Sequence, residues 1–427
     1  MQRYESYKPS GAEWLGDIPA HWTVTPAKRL FREVSEKNHP DAELLSVTQE
    51  FGVVPRSQLE QRVVMPTGQL QSFKLVREDD FVISLRSFQG GIEYSEFTGL
   101  VSPAYTILRK QKEANSRYLK HLLKSAPFIS ELNTSVTGIR EGKNISFTEM
   151  AYSLLPLPPR EEQDRIVAFL DQKTAEIDAA IAKKGRLIEL LNEQRQAIIR
   201  NATRGRTEEN LLVRDSGISW MGYIPKSDRL SRLGFISKIG NGSTPNRAVL
   251  GYWIGGDIPW LNSSKVNDFE VWAADQFITK RAARECHLPL VKAGSLLVAI
   301  TGEGKTRGMA AMTKIDTAIN QHLAYITVTD PDVDTEFLLY YLTGVYQVLR
   351  DESSAQGSTK GAITCSELSK FPVVLPPLSE QKKIILIIKT RLAHLEKSRS
   401  FIQDQIDRLN ELKNITISAA VSGKIRV

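Results

Sequence analysis

A glycine-rich stretch in the second half of the chain has the residue types of a phosphate-binding loop. Residues Ala299–Thr306, AITGEGKT, follow a short apolar run and match the pattern A-x-x-x-x-G-K-T. In such a loop backbone N–H groups cradle phosphates and the lysine, here Lys305, neutralises their charge. A phosphate loop opens a helix directly behind it, whereas this stretch is interrupted at once by Gly308. A phosphate-loop NTPase is therefore an alternative hypothesis, not the main one.

A second short motif has the chemistry of base methylation. Ser102-Pro103-Ala104-Tyr105 differs by one residue from the motif with which adenine methyltransferases hold a flipped base. No glycine-rich motif for a methyl donor accompanies it, and no nucleophile–base set stands at suggestive spacing. We therefore predict that the chain is not an enzyme and has no catalytic residues.

Composition and charge limit the partners, metal sites and cellular locations that the chain could have. The chain of 427 residues carries a formal net charge of +7, which permits a polyanionic partner without proving one. Its 2 cysteines exclude a disulfide scaffold, and its 6 histidines show no ligand spacing, so no metal site is expected. The N-terminus lacks the apolar core of a signal peptide and no apolar run is long enough to span a bilayer. We expect a cytoplasmic protein without membrane contact.

The most informative feature is an internal repeat. Pairing Ile145 with Ile363, at an offset of 218 residues (363 − 145), also pairs LPPREEQ with LPPLSEQ and Gly205 with Gly423. Upstream, the openings EWLGDIP and SWMGYIP also match, although the residues between differ in length and sequence. A variable module is thus followed twice by a segment of constant length. A period near 200 residues indicates a duplicated domain.

Each constant segment has the pattern of one long helix. Apolar residues at alternating three- and four-residue spacing run through Ile166, Leu170, Ile177, Ala180, Leu187, Leu191 and Ile198, and again through Ile384, Ile388, Leu392, Leu395, Ile402, Ile406 and Leu409. Both helices are expected to start at the double proline and to end near a glycine. Because such a seam needs a partner helix, and because the two lengths are equal, an antiparallel pair is favoured over two separate coiled-coil tails.

The variable modules mix short β-branched runs with glycine- and proline-rich turns. FVISL, AYTILR, LLVAI and LAYITVT indicate strands, while NSRYLKHLLKS and DTEFLLYYLTGVYQVL indicate amphipathic helices. The predicted class is α+β, with two α/β modules separated by a pair of long antiparallel coiled-coil helices in a pseudo-two-fold internal repeat. The predicted boundaries are 1–155 and 207–372 for the modules, and 156–206 and 373–427 for the helices.

Polar and basic loop segments recur at matching places in both modules. Arginine reads guanine, asparagine and glutamine read adenine, and lysine, serine and threonine hold phosphates. On this basis the predicted DNA contacts are Arg86, Ser87, Gln89, Arg140, Lys143, Asn144, Ser243, Thr244, Asn246, Arg247, Ser263, Lys265, Thr301, Lys305, Arg307, Gln356, Ser358 and Lys360.

Taken together, the chain resembles the specificity subunits of type I restriction–modification systems over nearly its whole length. The resemblance rests on the LPPREEQ and LPPLSEQ pair, the W-x-G-x-I-P openings, GNGSTPN followed by YW and GGDIPWL, Ile319-Asn320-Gln321, and SPAY. The second half departs from the first in lacking a His-Trp pair after its opening. A coiled-coil scaffold without DNA contact remains a further alternative.

The resemblance implies a non-catalytic subunit whose modules are target-recognition domains, each reading half of a split site in double-stranded DNA. It also implies that the helices act as a ruler and as a platform for two methyltransferase (M) subunits, which restriction (R) subunits join. S-adenosylmethionine, ATP and Mg²⁺ are then expected on those partners, and no cofactor on this chain.

The ruler role can be tested by lengthening both helices together. One heptad inserted at Leu187 and another near Ile406 would keep the seam in phase and add roughly 10 Å of helix. We expect the gap between the two half-sites to lengthen by about three base pairs, with both half-sites unchanged. Sequencing of methylated bases in a host that expresses the variant measures the gap. An unchanged gap in a stably folded variant would exclude the ruler.

Overall fold

The computed structural model describes residues 2–59, 70–85, 87–134, 136–137, 144–203, 212–302, 304–354 and 362–427. The chain divides into two compact units, the first formed by residues 1–185 and 403–427 and the second by residues 186–402. The predicted boundaries of the four segments remain a prediction. None of the helices in the described part of the chain is long and apolar enough to cross a membrane.

Short strands and helices build the first unit. Its strands are β1 (Tyr7–Pro9), β2 (Asp17–Pro19), β3 (Thr23–Pro26), β4 (Phe31–Val34), β5 (Leu45–Thr48), β6 (Gly52–Pro55), β7 (Lys74–Val76), β8 (Phe81–Ile83), β9 (Glu93–Tyr94), β10 (Gly99–Val101), β11 (Thr106–Lys110), β12 (Val136–Thr137), β13 (Asn144–Ile145) and β14 (Leu154–Leu157). Its helices are α1 (Ala27–Leu30), α2 (Ser87–Gly90), α3 (Ser116–Leu123), α4 (Ala126–Thr134), α5 (Phe147–Met150) and the first part of α6 (Arg160–Thr203). Short 3₁₀ turns lie at Arg56–Gln58 and Leu70–Ser72.

The second unit repeats this arrangement. Its strands are β15 (Val213–Asp215), β16 (Tyr223–Pro225), β17 (Arg229–Arg232), β18 (Ser237–Asn241), β19 (Ile258–Leu261), β20 (Glu270–Val271), β21 (Gln276–Ile278), β22 (Leu296–Ala299), β23 (Ala310–Thr313), β24 (Ala318–Ile319), β25 (Leu323–Val328) and β26 (Pro372–Leu375). Its helices are α7 (Leu233–Ile236), α8 (Lys280–Glu285), α9 (Thr335–Gly344), α10 (Tyr346–Ser354), α11 (Cys365–Lys370) and the first part of α12 (Leu378–Val421), with 3₁₀ turns at Leu250–Tyr252 and Ser263–Asn267.

The sheet order shows the duplication directly. The central sheet of the first unit runs β4-β11-β8-β9, and that of the second runs β18-β25-β22-β23-β20. In both, the long central strand pairs antiparallel with its two neighbours. The flanking pairs β3–β14 and β17–β26 also correspond. The α+β class and the internal repeat predicted from the sequence are therefore confirmed.

One predicted helix differs from the structure. The stretch DTEFLLYYLTGVYQVL forms two helices, α9 and α10, which meet at Val345. Gly344 ends α9 where it lies against α6: a Cβ there would stand 2.9 Å from Thr203 Oγ1 and 3.2 Å from Arg200 Cα. A glycine is required for this close approach, and it also weakens helix propagation.

Within the first unit, α6 and α12 pack against each other in antiparallel register. Lys413 Nζ lies 2.7 Å from Asp178 Oδ2, and Lys184 Nζ donates to Gln405 Oε1. As the residue numbers rise along α6, the numbers of their partners on α12 therefore fall. Within the second unit, Ile199 shares a hydrophobic cluster with Ile388. Antiparallel pairing of the two helices is thereby confirmed.

The seam between the two helices contains a lysine, Lys184, in addition to apolar residues. Leu187, placed in the seam from the sequence, is 47% exposed, and that placement is wrong. Half-buried positions instead run through Ile181, Lys184, Ile188 and Leu191. The aliphatic stem of Lys184 can occupy the apolar seam while its ammonium reaches the Gln405 amide, and a polar pair in a seam specifies register.

A buried glutamine ties each long helix to a helix of its own unit. Gln163 Oε1 accepts from Asn115 N at 2.8 Å, while its Nε2 donates to Pro158 O at 2.8 Å. In the second unit Gln381 Oε1 accepts from Asp334 N, and its Nε2 donates to Pro376 O, both at 2.8 Å. Because Asn115 and Asp334 are the N-caps of α3 and α9, the repeated glutamine orients both helices in the same way.

The glutamate beside this glutamine has different roles in the two units. Glu162 is 4% exposed and accepts from Tyr4 Oη at 2.6 Å, His21 Nε2 at 2.7 Å and Trp22 Nε1 at 3.1 Å. Burial raises the pKa of Glu162, but the hydrogen bonds from Tyr4, His21 and Trp22 lower it more, so the net pKa lies below its ordinary value. Its repeat partner, Glu380, lies 43% exposed in an ion pair with Lys383.

Replacing Glu162 with glutamine should therefore destabilise the protein far more than the same change at Glu380. The ionised carboxylate of Glu162 accepts from three donors, whereas a glutamine amide offers only one accepting oxygen. Hydrogen bonds to a charged group contribute about 2 kcal/mol each. The exposed ion pair of Glu380 contributes about 0–1 kcal/mol. Thermal unfolding at neutral pH measures the difference in Tm.

The pH dependence of this effect has a defined sign. A carboxyl whose folded pKa is lowered stabilises the fold above the ordinary pKa of 4.5, and that stabilisation is lost as the pH falls through the folded pKa. The gap in Tm between wild type and E162Q should consequently close in acid, starting below pH 4.5. A gap independent of pH, or an equal effect of E380Q, would contradict the assignment.

Candidate nucleic-acid interface

Strand register in the second unit brings three predicted segments and the turn at residues 320–322 to one edge of the sheet. Asn241, the last residue of β18, pairs with Ala324, and Ala299, the last residue of β22, pairs with Leu323. The loops after β18 and β22 therefore meet the turn at 320–322 that opens β25. Leu261 of β19 pairs with Ile319 of β24, so the loop after β19 reaches the same edge. We call this surface, formed by residues 242–247, 262–265, 301–302, 304–307 and 320–322, the β25 edge.

A glycine lets the first of these loops cross the β24 turn at close range. A Cβ on Gly242 would stand 1.8 Å from Ile319 O, so any other residue displaces the backbone. The next residue, Ser243, donates its N–H to Ile319 O at 3.0 Å. Its own carbonyl accepts from Trp260 Nε1 at 3.2 Å. The loop that carries Thr244, Asn246 and Arg247 is thereby fixed to the sheet through both the N–H and the carbonyl of Ser243.

The guanidinium of Arg247 lies over the rings of two tryptophans. Its guanidinium carbon lies 3.9 Å from the centroid of the Trp253 ring and 5.2 Å from that of Trp260, and the two indoles meet edge to face at 5.2 Å. Its NH2 donates to Gln276 Oε1 at 2.6 Å. Stacking and this hydrogen bond fix the plane of an exposed guanidinium, which presents a rigid fork of donors suited to guanine or phosphate.

A chain of polar side chains crosses the centre of the β25 edge. Thr244 Oγ1 donates to Gln321 Oε1, Gln321 Nε2 lies 3.1 Å from His322 Nε2, and His322 Nδ1 lies 2.7 Å from Thr301 Oγ1. Asn320, which is 5% exposed, accepts from His322 N at 3.0 Å and sets the turn. Residues from three separate segments thus form one connected surface.

The other predicted contacts of this module occupy different environments. Asn246 is exposed and accepts from Ala248 N at 3.0 Å, and Ser263 begins a 3₁₀ turn at Ser263–Asn267. Lys265 is 18% exposed and pairs with Asp275 at 2.9 Å. Lys305 is exposed, whereas Arg307 is only 7% exposed. All remain predictions as DNA contacts, and Lys305 presents its charge at the surface where Arg307 does not.

The corresponding edge of the first module carries other residues. Ser102–Tyr105 precede β11 as residues 319–322 precede β25, and Lys74 Nζ donates to Tyr105 O at 2.6 Å. Ser87 lies buried in α2, where its hydroxyl accepts from Ser84 N at 2.8 Å, while Gln89 is exposed. Asn144 lies in β13. The remaining predicted contacts lie outside the described residues: Arg86, Arg140, Lys143, Gln356, Ser358 and Lys360.

The described residues of Ala299–Thr306 do not have the structure of a phosphate loop. The segment joins two antiparallel strands, β22 and β23, and the described residues 304–309 form turns, not a helix. Gly308 N donates to Ala299 O at 2.8 Å and closes the connection as a hairpin. A phosphate loop relies on the N-terminus of a following helix, which these described residues lack.

Several residues of the β25 edge were not predicted from the sequence. Trp253, Trp260, Gln276 and His322 were not among the predicted contacts, and Gln321 entered only as part of a family motif. Aromatic residues spaced six and thirteen positions after Arg247 were a usable signal, because arginine stacks on tryptophan. Gln276 could not have been found in that way, since only the pairing of β21 with β19 brings it near.

Comparisons with known proteins agree with this architecture. Residues 229–417 match the family model of the type I restriction modification DNA specificity domain. The type I restriction enzyme EcoKI specificity subunit of Escherichia coli K12 is 21% identical over 440 aligned positions, covering 96% of this chain and 90% of that one. Residues 229–417 therefore match this family's domain, and along most of its length the chain is similar to type I restriction-enzyme specificity subunits.

Two further comparisons bear on the extent of the likeness. The MjaIX specificity subunit of Methanocaldococcus jannaschii is 30% identical over 173 residues, which cover 39% of this chain and 38% of that relative. A solved chain from a type I restriction–modification complex studied for its assembly and conformational transition superimposes with a TM-score of 0.65 at 18% identity. It covers 96% of this chain and 99% of that one, and at this identity it supports the fold alone.

The tight contact at Gly242 generates a test of the interface geometry. Gly242→Ala should lower the stability of the protein, because the new Cβ would overlap Ile319 O. Overpacking of this kind costs about 1–3 kcal/mol. Thermal unfolding measures the change against Gly251→Ala, whose Cβ would meet only Arg281 NH1, at 3.7 Å. Equal Tm values for the two variants would show that the loop does not cross the turn at this distance.

Proposed function

We propose that this specificity subunit recognises a bipartite site in double-stranded DNA, with one half read by each module. Convergence of four polar segments at the β25 edge carries the proposal for the second module. The equivalent sheet order supports the same role for the first. Loops at a sheet edge can enter a groove, while the stacked Arg247 offers a fixed donor fork for base or phosphate.

The partners proposed for the subunit are two methyltransferase subunits and the restriction subunits that join them. Large apolar side chains on the long helices stay exposed within the second unit: Leu386 at 67%, Phe401 at 62%, and Leu187 and Leu190 at 47% and 44%. Apolar residues of this size on the outer faces of a helix pair favour burial against another protein. We assign these faces to the methyltransferase subunits.

Catalysis is proposed to reside in those partners. The hairpin form of Ala299–Thr306 gives no support to nucleotide binding by this chain, and SPAY stands without a methyl-donor motif. S-adenosylmethionine, ATP and Mg²⁺ would then be bound by the methyltransferase and restriction subunits, and this chain would hold no cofactor.

DNA recognition through the β25 edge can be tested at Arg247. Arg247→Ala, in the complex with the methyltransferase subunits, should weaken binding of the cognate duplex by about ten- to a hundredfold, because one good arginine contact is worth about 1–3 kcal/mol. Arg247→Lys should not restore it, since lysine keeps the charge but loses the planar stack. Fluorescence anisotropy with a labelled duplex measures the affinity.

A matched control is available at the other end of β22. Lys292 is 74% exposed and pairs with Asp316 there, so Lys292→Ala removes one positive charge without touching the β25 edge. We expect it to change affinity less than threefold, as a distant screened charge should. Similar losses in both variants would mean that net charge alone governs binding, which would overturn this interface.

A further inference from the structure

Gln321 is the residue of the β25 edge whose unused hydrogen-bonding groups are best defined. The side chain is exposed, and its amide has two acceptor lone pairs and two N–H donors. Thr244 Oγ1 is hydrogen-bonded to the amide oxygen, and His322 Nε2 is hydrogen-bonded to the amide nitrogen. One N–H and one oxygen lone pair are therefore left for a ligand at the surface.

The two neighbours also fix how this amide is presented. With Thr244 donating to Gln321 Oε1, the amide N–H points to His322 Nε2, so a neutral His322 carries its proton on Nδ1 and donates to Thr301 Oγ1 at 2.7 Å. Each group in the chain then has a partner of the opposite kind. The reversed set of hydrogen bonds would leave the same pair, one donor and one acceptor, on the outer side.

A fixed donor beside a fixed acceptor matches one base edge in the major groove. Adenine presents N7 as an acceptor next to its N6 amino donor, whereas guanine presents two acceptors at N7 and O6. An amide with one N–H and one lone pair free can therefore satisfy adenine and leaves a mismatch with guanine. The preorganised chain removes the rotamer entropy that a free glutamine would lose on binding.

The first module lacks this device at the equivalent place. Ser102–Tyr105 precede β11 where residues 319–322 precede β25, and no amide side chain stands in that stretch. The two modules therefore differ at a position that the shared frame presents in the same way. Any readout through Gln321 must affect only the half-site of the second module.

We propose that Gln321 of the second module reads an adenine through its N6 amino group and N7, and that His322 and Thr244 are positioning residues for its amide. This inference rests on the proposed function, because it requires that the β25 edge lies against DNA. It assigns a base to one residue, where the interface as a whole specifies only a nucleic acid.

The experiment replaces single atoms of DNA. The recognised site is first mapped by sequencing methylated bases, and each adenine of the second module's half-site is then replaced in turn by 7-deazaadenine, which lacks the N7 acceptor. Binding by the complex of this chain with its methyltransferase subunits is measured for wild type, Gln321→Ala, Gln321→Glu, His322→Ala and Gln347→Ala. Gln347 is the control, an exposed glutamine on α10 that donates to Asp351 at 2.8 Å.

The expected result is one adenine whose 7-deaza replacement weakens wild-type binding about tenfold, as loss of one specific base hydrogen bond should. That penalty should disappear in Q321A and persist in Q347A. In Q321E the missing amide donor should also abolish it, which provides an independent variant. H322A should shrink the penalty at this adenine without changing the penalties at other positions, a pattern that a general loss of structure would not produce.

Two other outcomes have separate meanings. If wild type prefers its mapped duplex but Q321A and Q321E keep every 7-deaza penalty, or if that half-site contains no adenine on either strand, the assignment of Gln321 is overturned while DNA recognition stands. If the wild-type complex binds the mapped and a scrambled duplex equally, the proposed function itself fails.

Discussion

The antiparallel register of three strands is the constraint on which the second module's surface depends. Because Ala299 of β22 faces Leu323 of β25, and Asn241 of β18 faces Ala324, the ends of two strands and the start of a third must coincide in space. A shift of one residue would turn every side chain of β25 to the opposite face and would separate the loops. The alternation of buried and half-buried residues from Ala324 to Thr327 in β25 opposes such a shift, because the shift would move the buried side chains to the less buried face.

The same register argument explains how one frame can carry two different surfaces. In both modules the central strand and its neighbours keep their order, while the loops at the strand ends differ in sequence and length. Loop residues at such an edge make few contacts with the core, so substitution there costs little stability. The exceptions are positions like Gly242, where a loop crosses another turn too closely to admit a side chain.

Elements with a strong local signal were predictable from the sequence, and contacts made by tertiary pairing were not. The double prolines, the 3–4 spacing and Gly423, which has a φ of 72° after α12, indicate two long helices, and the structure has them at Arg160–Thr203 and Leu378–Val421. The exposure of Leu187 was not predictable, because helical spacing alone does not show whether a leucine or the aliphatic stem of Lys184 is buried in the seam. At the interface, Arg247 and Thr244 were found from residue type, whereas the roles of Gln276 and His322 follow only from strand pairing between distant segments.

The position of the buried glutamines explains why the surface can vary without disturbing the helices. Gln381 binds the N-cap of α9, which follows the C-terminal end of β25, whereas Gln321 precedes its N-terminal end. The two ends of this strand of six residues lie roughly 20 Å apart, at about 3.4 Å per residue. Gln163 and the residues before β11 stand in the same relation. A buried amide with all its partners tolerates little displacement, so each helix junction keeps one geometry while the far edge of the same sheet is free to change its chemistry.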